Sequence, residues 1–485
     1  MQLSQTLVKK IGLFLGPIVF LIIINITPAS LDENAWKVLG LAALMVIWWV
    51  TEAAPIPVTA LLPLFMFPVL GVFNINQSTA PYASPIIFLF MGGFLIAIAM
   101  EEHNLHKRIA LNLIRITGTK ANGIILGFML ATASLSMWIS NTATTVMMLP
   151  IAMSVVNLLS NGNPEKIKDS KPFRLFALGL LVSIAYSANI GGTATLIGTP
   201  PNVVLAGYMN QMYNVDLEFS KWIMIGLPFA VVLLTITYFL LTRVLFANKL
   251  GKIEGADELI SSQLEQLGPI SKNEKRVAAI FGLTAICWIF KSQINGFIGQ
   301  PILSDTITAM AGGTLMFITP SNFKKAEFLL GWESTKRLPW GILILFGGGM
   351  CLAKGMETTG LIQLLGDSIS DNNQLSMWLL IGILTLVMLF MTELMSNVAL
   401  TTIFVPVVMG IADGLGVDPT LLAIPVTLAA SCAFMMPIST PPNAIVFASG
   451  YIRMKDMIKA GFFLNLISIV IITILSVTLI SWVYG

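Results

Sequence analysis

The chain has 485 residues, of which 56% are hydrophobic and 11% charged, with a mean hydropathy of +0.86. Soluble domains carry about a quarter charged residues, so this composition excludes an ordinary soluble globular protein and indicates an all-α polytopic membrane protein. The net charge of +3 excludes little by its size; its placement along the chain is informative.

Apolar runs near the ~20 residues that cross a bilayer recur at 11–29, 36–54, 56–73, 84–101, 121–158, 174–212, 221–246, 276–293, 302–318, 338–356, 375–410, 418–452 and 460–483. Lys9 and Lys10 precede the first run. That run is too long, and its exit too poor in small residues, for a signal peptide, and it reads as an anchor. His103 and His106 share a short polar segment with no third ligand nearby, so a solvated loop is expected there rather than a metal site. The polar stretch from about Asn248 to Arg276 reads as a loop. Cys287, Cys351 and Cys432 all sit in apolar runs, as packing residues rather than a disulfide framework.

Two segments, 121–158 and 375–410, are about twice the length of a helix and hold a polar centre. Each reads as two spans or as a hairpin that enters and leaves on one side. Charge decides for hairpins. With the N-terminus inside, every basic residue except Lys37, Lys221, Lys291 and Lys354 then falls on the cytoplasmic side. The outer loops collect Asp32, Glu33, Asp216, Glu218, Asp305, Glu357, Asp367, Asp371, Asp413 and Asp418. This is a strong positive-inside pattern. The expected fold has about eleven transmembrane helices and two re-entrant hairpins, with the N-terminus cytoplasmic and the C-terminus outside.

The halves of the chain repeat. "FLFMGGFLIAIAMEEHNL" (Phe88–Leu105) aligns with "ILFGGGMCLAKGMETTGL" (Ile344–Leu361), pairing Gly92 with Gly348 and Glu101 with Glu357 at an offset of 256 residues. "SNTATTVMMLP" (Ser140–Pro150) aligns with "SNVALTTIFVP" (Ser396–Pro406) at the same offset, and "GTPPNVV" (Gly198–Val204) with "STPPNAIV" (Ser439–Val446) at 241. In the expected topology the copies face opposite ways. That inverted repeat is a transporter architecture with substrate near the midplane.

The motifs suit such a site. Pro removes an amide donor and disfavours helix before it, then can start the next half-helix. Each TPPN therefore breaks a helix, leaving free carbonyls on one side and a helix N-terminus on the other. Helix N-termini suit carboxylates, and free carbonyls and hydroxyls suit a hard cation such as Na⁺. No Lys or Arg lies near the four motifs in sequence, so bound Na⁺ is the simplest neutraliser of an anion. Ser140, Asn141, Thr142, Thr144 and Thr145 read as one half of a cage and Ser396-Asn397 as the other. A lone Ser-Asn-Thr in a membrane helix is often helix–helix glue; two copies, each followed by a broken helix, argue for a site. Glu52 ("WWVTEAAP") and Glu393 ("LFMTELMSN") are carboxylates in apolar runs, which suggest function by default. Glu393 reads either as a proton carrier or as a brace for the hairpin, and the brace is preferred.

At these residues the chain resembles the divalent anion:sodium symporter family, which includes bacterial dicarboxylate transporters and animal citrate and dicarboxylate transporters. "ASCAFMMPISTPPNAIV" (Ala430–Val446) matches the family's C-terminal signature, and "TEAAPIPVTALLP" (Thr51–Pro63) is also similar to it. The resemblance implies a homodimer whose transport domain, holding both hairpins and both broken helices, moves as an elevator past a scaffold. It implies scaffold helices at 1–120 and 276–374, transport elements at 121–246 and 375–485, and a cytoplasmic linker at 247–275. It further implies one sodium site at Ser136, Ser140, Asn141 and Gly198, and a second at Thr392, Met395, Asn397 and Ser439. Substrate would meet Ser140, Asn141, Thr142, Thr199, Pro200, Ser396, Asn397, Val398, Thr440 and Pro441. Val398 departs from the Thr that many bacterial dicarboxylate members carry, which removes a hydroxyl contact.

The function implied is Na⁺-coupled uptake of di- or tricarboxylates such as succinate, malate, fumarate or citrate across the bacterial inner membrane, with Na⁺ as the co-transported ion and no organic cofactor. The alternatives are a Na⁺-independent dicarboxylate exchanger and a sulfate-type symporter. A membrane-embedded enzyme is disfavoured, because the chain lacks an intramembrane catalytic His, paired aspartates or a Ser–Lys dyad. The closed hairpin tips disfavour a channel.

Overall fold

A computed structural model describes residues 5–26, 32–160, 169–364 and 376–484. Lys166, Lys168, Asp367 and Asp371, used in the charge pattern, lie outside the described residues. Among the described residues, eight helices are long and apolar enough to cross a membrane, and a ninth span arises if Lys272–Ile289 and Lys291–Ile298, bent by 77° at Phe290, count as one.

Both double-length segments are helical hairpins. Ala121–Ser136 and Asn141–Ser160 flank the turn at Met137–Ser140, and Met377–Thr392 and Asn397–Gly414 flank the turn at Glu393–Ser396. The first leg of each, 16 residues, rises only ~24 Å, short of the ~30 Å hydrocarbon core, whereas the second legs are among the helices long enough to cross.

Both TPPN sites break a helix. Lys171–Thr193 ends before the break and Pro200–Tyr213 begins after it; Thr420–Ala430 and Pro441–Phe447 repeat the arrangement. The residue before each proline pair is extended, Thr199 at φ −141°, ψ 142° and Thr440 at φ −140°, ψ 150°. The Cδ of the following proline disfavours helix at that position.

Lys171–Thr193 is the most enclosed helix, and every residue from Phe176 to Thr193 is buried. An all-round apolar helix can lose its whole surface to neighbours. A second, smaller apolar cluster joins Phe20, Leu41, Trp49 and Phe67 to Leu352 and Met356 of Trp340–Thr358. The paired glycines of the repeat allow close helix contacts: a Cβ on Gly92 would overlap the Ala309 backbone, and one on Gly348 would overlap that of Ala60. Large apolar side chains such as Phe14, Val69 and Phe297 remain exposed, as a lipid-facing surface requires.

Several expectations are corrected. The stretch 248–276 contains the helix Ala256–Leu267, flanked by Gly255 and Gly268 in positive-φ conformations. It is amphipathic: Ala256 and Ile260 are buried, and the polar residues on its outer face give it the composition of a loop. Ser271 and Glu274 form a capping box that starts Lys272–Ile289, and Arg108 pairs with Glu274 at 2.6 Å. The histidine segment is no solvated loop: His106 lies on the helix Leu105–Ile116 with Nδ1 3.0 Å from the Met100 carbonyl, and His103 Nε2 is 2.8 Å from the Leu329 carbonyl. Burial lowers the His106 pKa. The run 56–73 is two short helices, Ile56–Thr59 and Leu62–Leu70, parted at Ala60 and Leu61, with Pro63 in the first turn of the second. Glu52 is exposed at the end of Glu33–Thr51, at φ 48°, with an ion pair to Lys9 at 3.2 Å.

Candidate functional site

The repeated motifs converge. A single cavity of about 780 Å³ is bordered by Ser140, Asn141 and Thr142 of the first hairpin, and by Ser396, Asn397 and Val398 of the second. Thr199 and Pro200 of the first break, and Thr440 and Pro441 of the second, complete its wall. Gly198, Met395 and Ser439 also border it. Ser136 and Thr392 lie behind the cavity wall, fully buried.

Behind each asparagine is a cluster of three oxygens. Ser136 Oγ lies 2.6 Å from Asn141 Oδ1 and 2.8 Å from the Ala188 carbonyl oxygen. Thr392 Oγ1 lies 2.7 Å from Asn397 Oδ1 and 2.9 Å from the Ala430 carbonyl oxygen. Each hydroxyl has one proton for two acceptors, so each cluster holds more lone pairs than protons. The first cluster is packed tightly: a Cβ on Gly192 would lie 2.6 Å from Asn141 Oδ1 and 3.1 Å from the Gly198 carbonyl oxygen.

Helices begin at Asn141, Pro200 and Asn397 beside this cavity. Their first N–H groups have no partner within the helix. Ser140 Oγ accepts one such bond from Ala143 N at 3.2 Å. Thr144 and Thr145, expected to join the cage, do not border the cavity. Both are buried, and Thr145 Oγ1 donates to the Asn141 carbonyl at 2.8 Å, as its repeat mate Thr401 does to Asn397. One turn further along the same helical face than Asn141, they sit deeper in the protein than the cavity wall.

Glu393 supports the second hairpin. It accepts from the backbone N–H groups of Phe434, Met435 and Met436 and from Ser439 Oγ and Asn465 Nδ2, at 2.7–3.1 Å. These donors tie the hairpin turn to the broken segment 431–440. Five donors fix the carboxylate in one place, which fits the brace reading better than a proton carrier. Met137 occupies the matching position in the first copy, where its carbonyl accepts instead from Thr195 Oγ1.

Sequence reasoning missed two kinds of residue. Asn189 borders the cavity and donates Nδ2 to Thr440 Oγ1 and to the Ala433 carbonyl, each at 3.2 Å, linking the two copies. A lone Asn in the apolar run before the first break was the available signal. Lys9 and Arg337 also border the cavity, so basic side chains remote in sequence are near in space. Each is paired with carboxylate: Lys9 with Glu52, and Arg337 with Glu101 and Glu102.

Residues 8–484 match the family described as the sodium:sulfate symporter transmembrane region. The chain belongs to that symporter family. Among its relatives, a protein named sodium-dependent dicarboxylate transporter SdcS from Staphylococcus saprophyticus is 39% identical over 487 residues, covering 99% of this chain and 93% of the relative. The protein of the same name from Staphylococcus aureus strain USA300 is 39% identical over 467 residues, covering 96% and 90%. Two solved structures share the fold at a TM-score of 0.57. One is the YdaH transporter of Alcanivorax borkumensis, 12% identical over 83% of this chain and 86% of that one. The other is MtrF of Neisseria gonorrhoeae, described as illuminating a class of antimetabolite efflux pumps, 13% identical over 94% and 97%.

Proposed function

We propose that this symporter-family member is a secondary active transporter that carries a dicarboxylate together with Na⁺. The two oxygen clusters beside one shared cavity carry the reading. Hard cations take oxygen ligands, and each cluster has spare lone pairs behind the asparagine that faces the cavity. Na⁺ is cargo here. It would sit with Ser136, Ser140, Asn141 and Gly198 in one site and with Thr392, Met395, Asn397 and Ser439 in the other, and would hold the asparagines in place.

A dianion would then bind between Ser140-Asn141-Thr142 and Ser396-Asn397-Val398, with its carboxylates at the helix ends after Thr199 and Thr440. The N-terminal dipoles and the nearby Na⁺ would neutralise it. Linkage follows: if Na⁺ orders the groups that the dianion touches, each raises the affinity of the other by the same factor. The names of the relatives support dicarboxylate over sulfate as cargo.

The two hairpins, each with one leg too short to cross, enter from opposite faces, and the copies form an inverted repeat. Hairpins and broken helices travel together as an elevator in a homodimer of the bacterial inner membrane, with the N-terminus inside and the C-terminus outside. The test is succinate uptake into proteoliposomes. Accumulation driven by an inward Na⁺ gradient is expected, and equal uptake in choline buffer would refute coupling. Citrate and sulfate as competitors rank the cargo.

A further inference from the structure

The cavity opens past charged side chains that the transport reading leaves unused: Lys9, Glu52, Glu101 and Arg337 all border it. Arg337 pairs with Glu101, and its Nη1 lies 3.4 Å from Glu102 Oε1. The guanidinium side chain is 45% exposed and the Glu101 carboxylate 18%. The cation is thus the more exposed member of the pair and the anion the more covered one. Lys9 and Arg337 oppose Glu52, Glu101 and Glu102, which leaves one negative charge at the mouth. A cleft with low-dielectric walls focuses such a field on an entering ion.

We propose that Arg337 masks the Glu101 carboxylate and so sets the access of divalent anions to the cavity. The inference rests on the dicarboxylate reading of the site. The repeat repeats the chemistry: Glu357, the mate of Glu101, stands at the matching end of Trp340–Thr358 with Lys354 one turn before it. Each copy therefore ends this helix with a carboxylate beside a basic side chain. A purely structural tie would suffer from loss of either partner. Masking requires the opposite asymmetry. Without Arg337 the mouth carries two negative charges and repels a dianion; without Glu101 it carries none; without both it returns to one.

The test uses the full chain in membrane vesicles of both orientations, with the KM for succinate measured from each side. From the side of the Arg337 mouth, R337A is expected to raise KM roughly threefold to tenfold with Vmax kept, an effect that shrinks in added choline chloride at constant Na⁺. E101Q leaves KM unchanged or lower, R337K keeps the wild-type value, and R337A/E101Q restores it. Monomethyl succinate, a monoanion, shows a smaller rise with R337A. The thermal midpoint of each purified variant reports folding; if R337A alone unfolds, E101Q and the double variant still decide. The proposal is overturned if E101Q and R337A impair uptake alike, if the effect ignores salt, or if the double variant is worse than either single one. Absence of Na⁺-stimulated succinate uptake in the wild type overturns the functional reading itself, which separates the two failures.

Discussion

Ser136→Ala is the sharpest perturbation of the proposed first sodium site. Ser136 is fully buried behind the cavity and does not border it, so the change removes one oxygen without touching the cargo. Ala nearly matches Ser in volume, so packing against Ala188 and Asn141 survives. What disappears is the hydroxyl oxygen that lies 2.6 Å from Asn141 Oδ1 and 2.8 Å from the Ala188 carbonyl oxygen. An interaction with a charged group is worth about 1.5–3 kcal/mol, and 1.4 kcal/mol is tenfold in affinity. The half-saturating Na⁺ concentration should therefore rise roughly tenfold to a hundredfold. Reciprocity makes succinate affinity fall at low Na⁺ and recover as Na⁺ is raised. The assay is succinate uptake titrated with Na⁺ in proteoliposomes, paired with the thermal midpoint of the purified variant. A Na⁺ titration that superimposes on the wild type refutes the reasoning. Thr392→Val, the isosteric change in the second cluster, should behave the same way.

Glu393→Gln replaces an acceptor of five hydrogen bonds with a group that also donates, so the thermal midpoint should fall by several degrees, a loss of about 3 kcal/mol, and uptake should fall with it; unchanged stability with altered proton dependence would favour a carrier role. Gly192→Ala puts a Cβ 2.6 Å from Asn141 Oδ1 and should weaken Na⁺ binding while leaving the fold intact, read from the same Na⁺ titration. Val398→Thr adds a hydroxyl to the cavity wall and should change the ratio of succinate to citrate KM by up to about tenfold; an unmoved ratio means the side chain does not meet cargo. Glu52→Gln breaks only an exposed ion pair worth at most about 1 kcal/mol, so stability and Vmax should stay within error of the wild type.

The legible features were those with local causes. Single prolines such as Pro150 and Pro406 are carried inside helices, but each Pro-Pro pair removes two successive donors and pushes the residue before it out of helix, so both breaks could be read before any packing was known. The same holds for the hairpins, whose Ser-Asn turns interrupt apolar runs too long for one leg. Amphipathic surface helices were harder. Ala256–Leu267 has apolar positions for one face only, and its polar residues resemble loop unless the partner surface is known. Glu52 and Glu393 looked alike in sequence, each a carboxylate after Thr in an apolar run. One proved an exposed partner of Lys9, the other a buried hub of five donors, all 41–72 residues away along the chain.

By itself the amino-acid sequence determined the repeat, the positions of the four motifs and the points where backbone must leave the helix, since these depend on side-chain chemistry acting over a turn or less. Only the tertiary structure decided which oxygens meet. The carbonyls of Ala188 and Ala430 carry no mark in the sequence, because every residue has one, and they become part of a cluster only when a distant hairpin brings Ser136 or Thr392 against them. The placement of Arg337 at the cavity mouth was settled the same way: charge acts through space, and the chain separation of nearly two hundred residues from Asn141 had hidden that proximity.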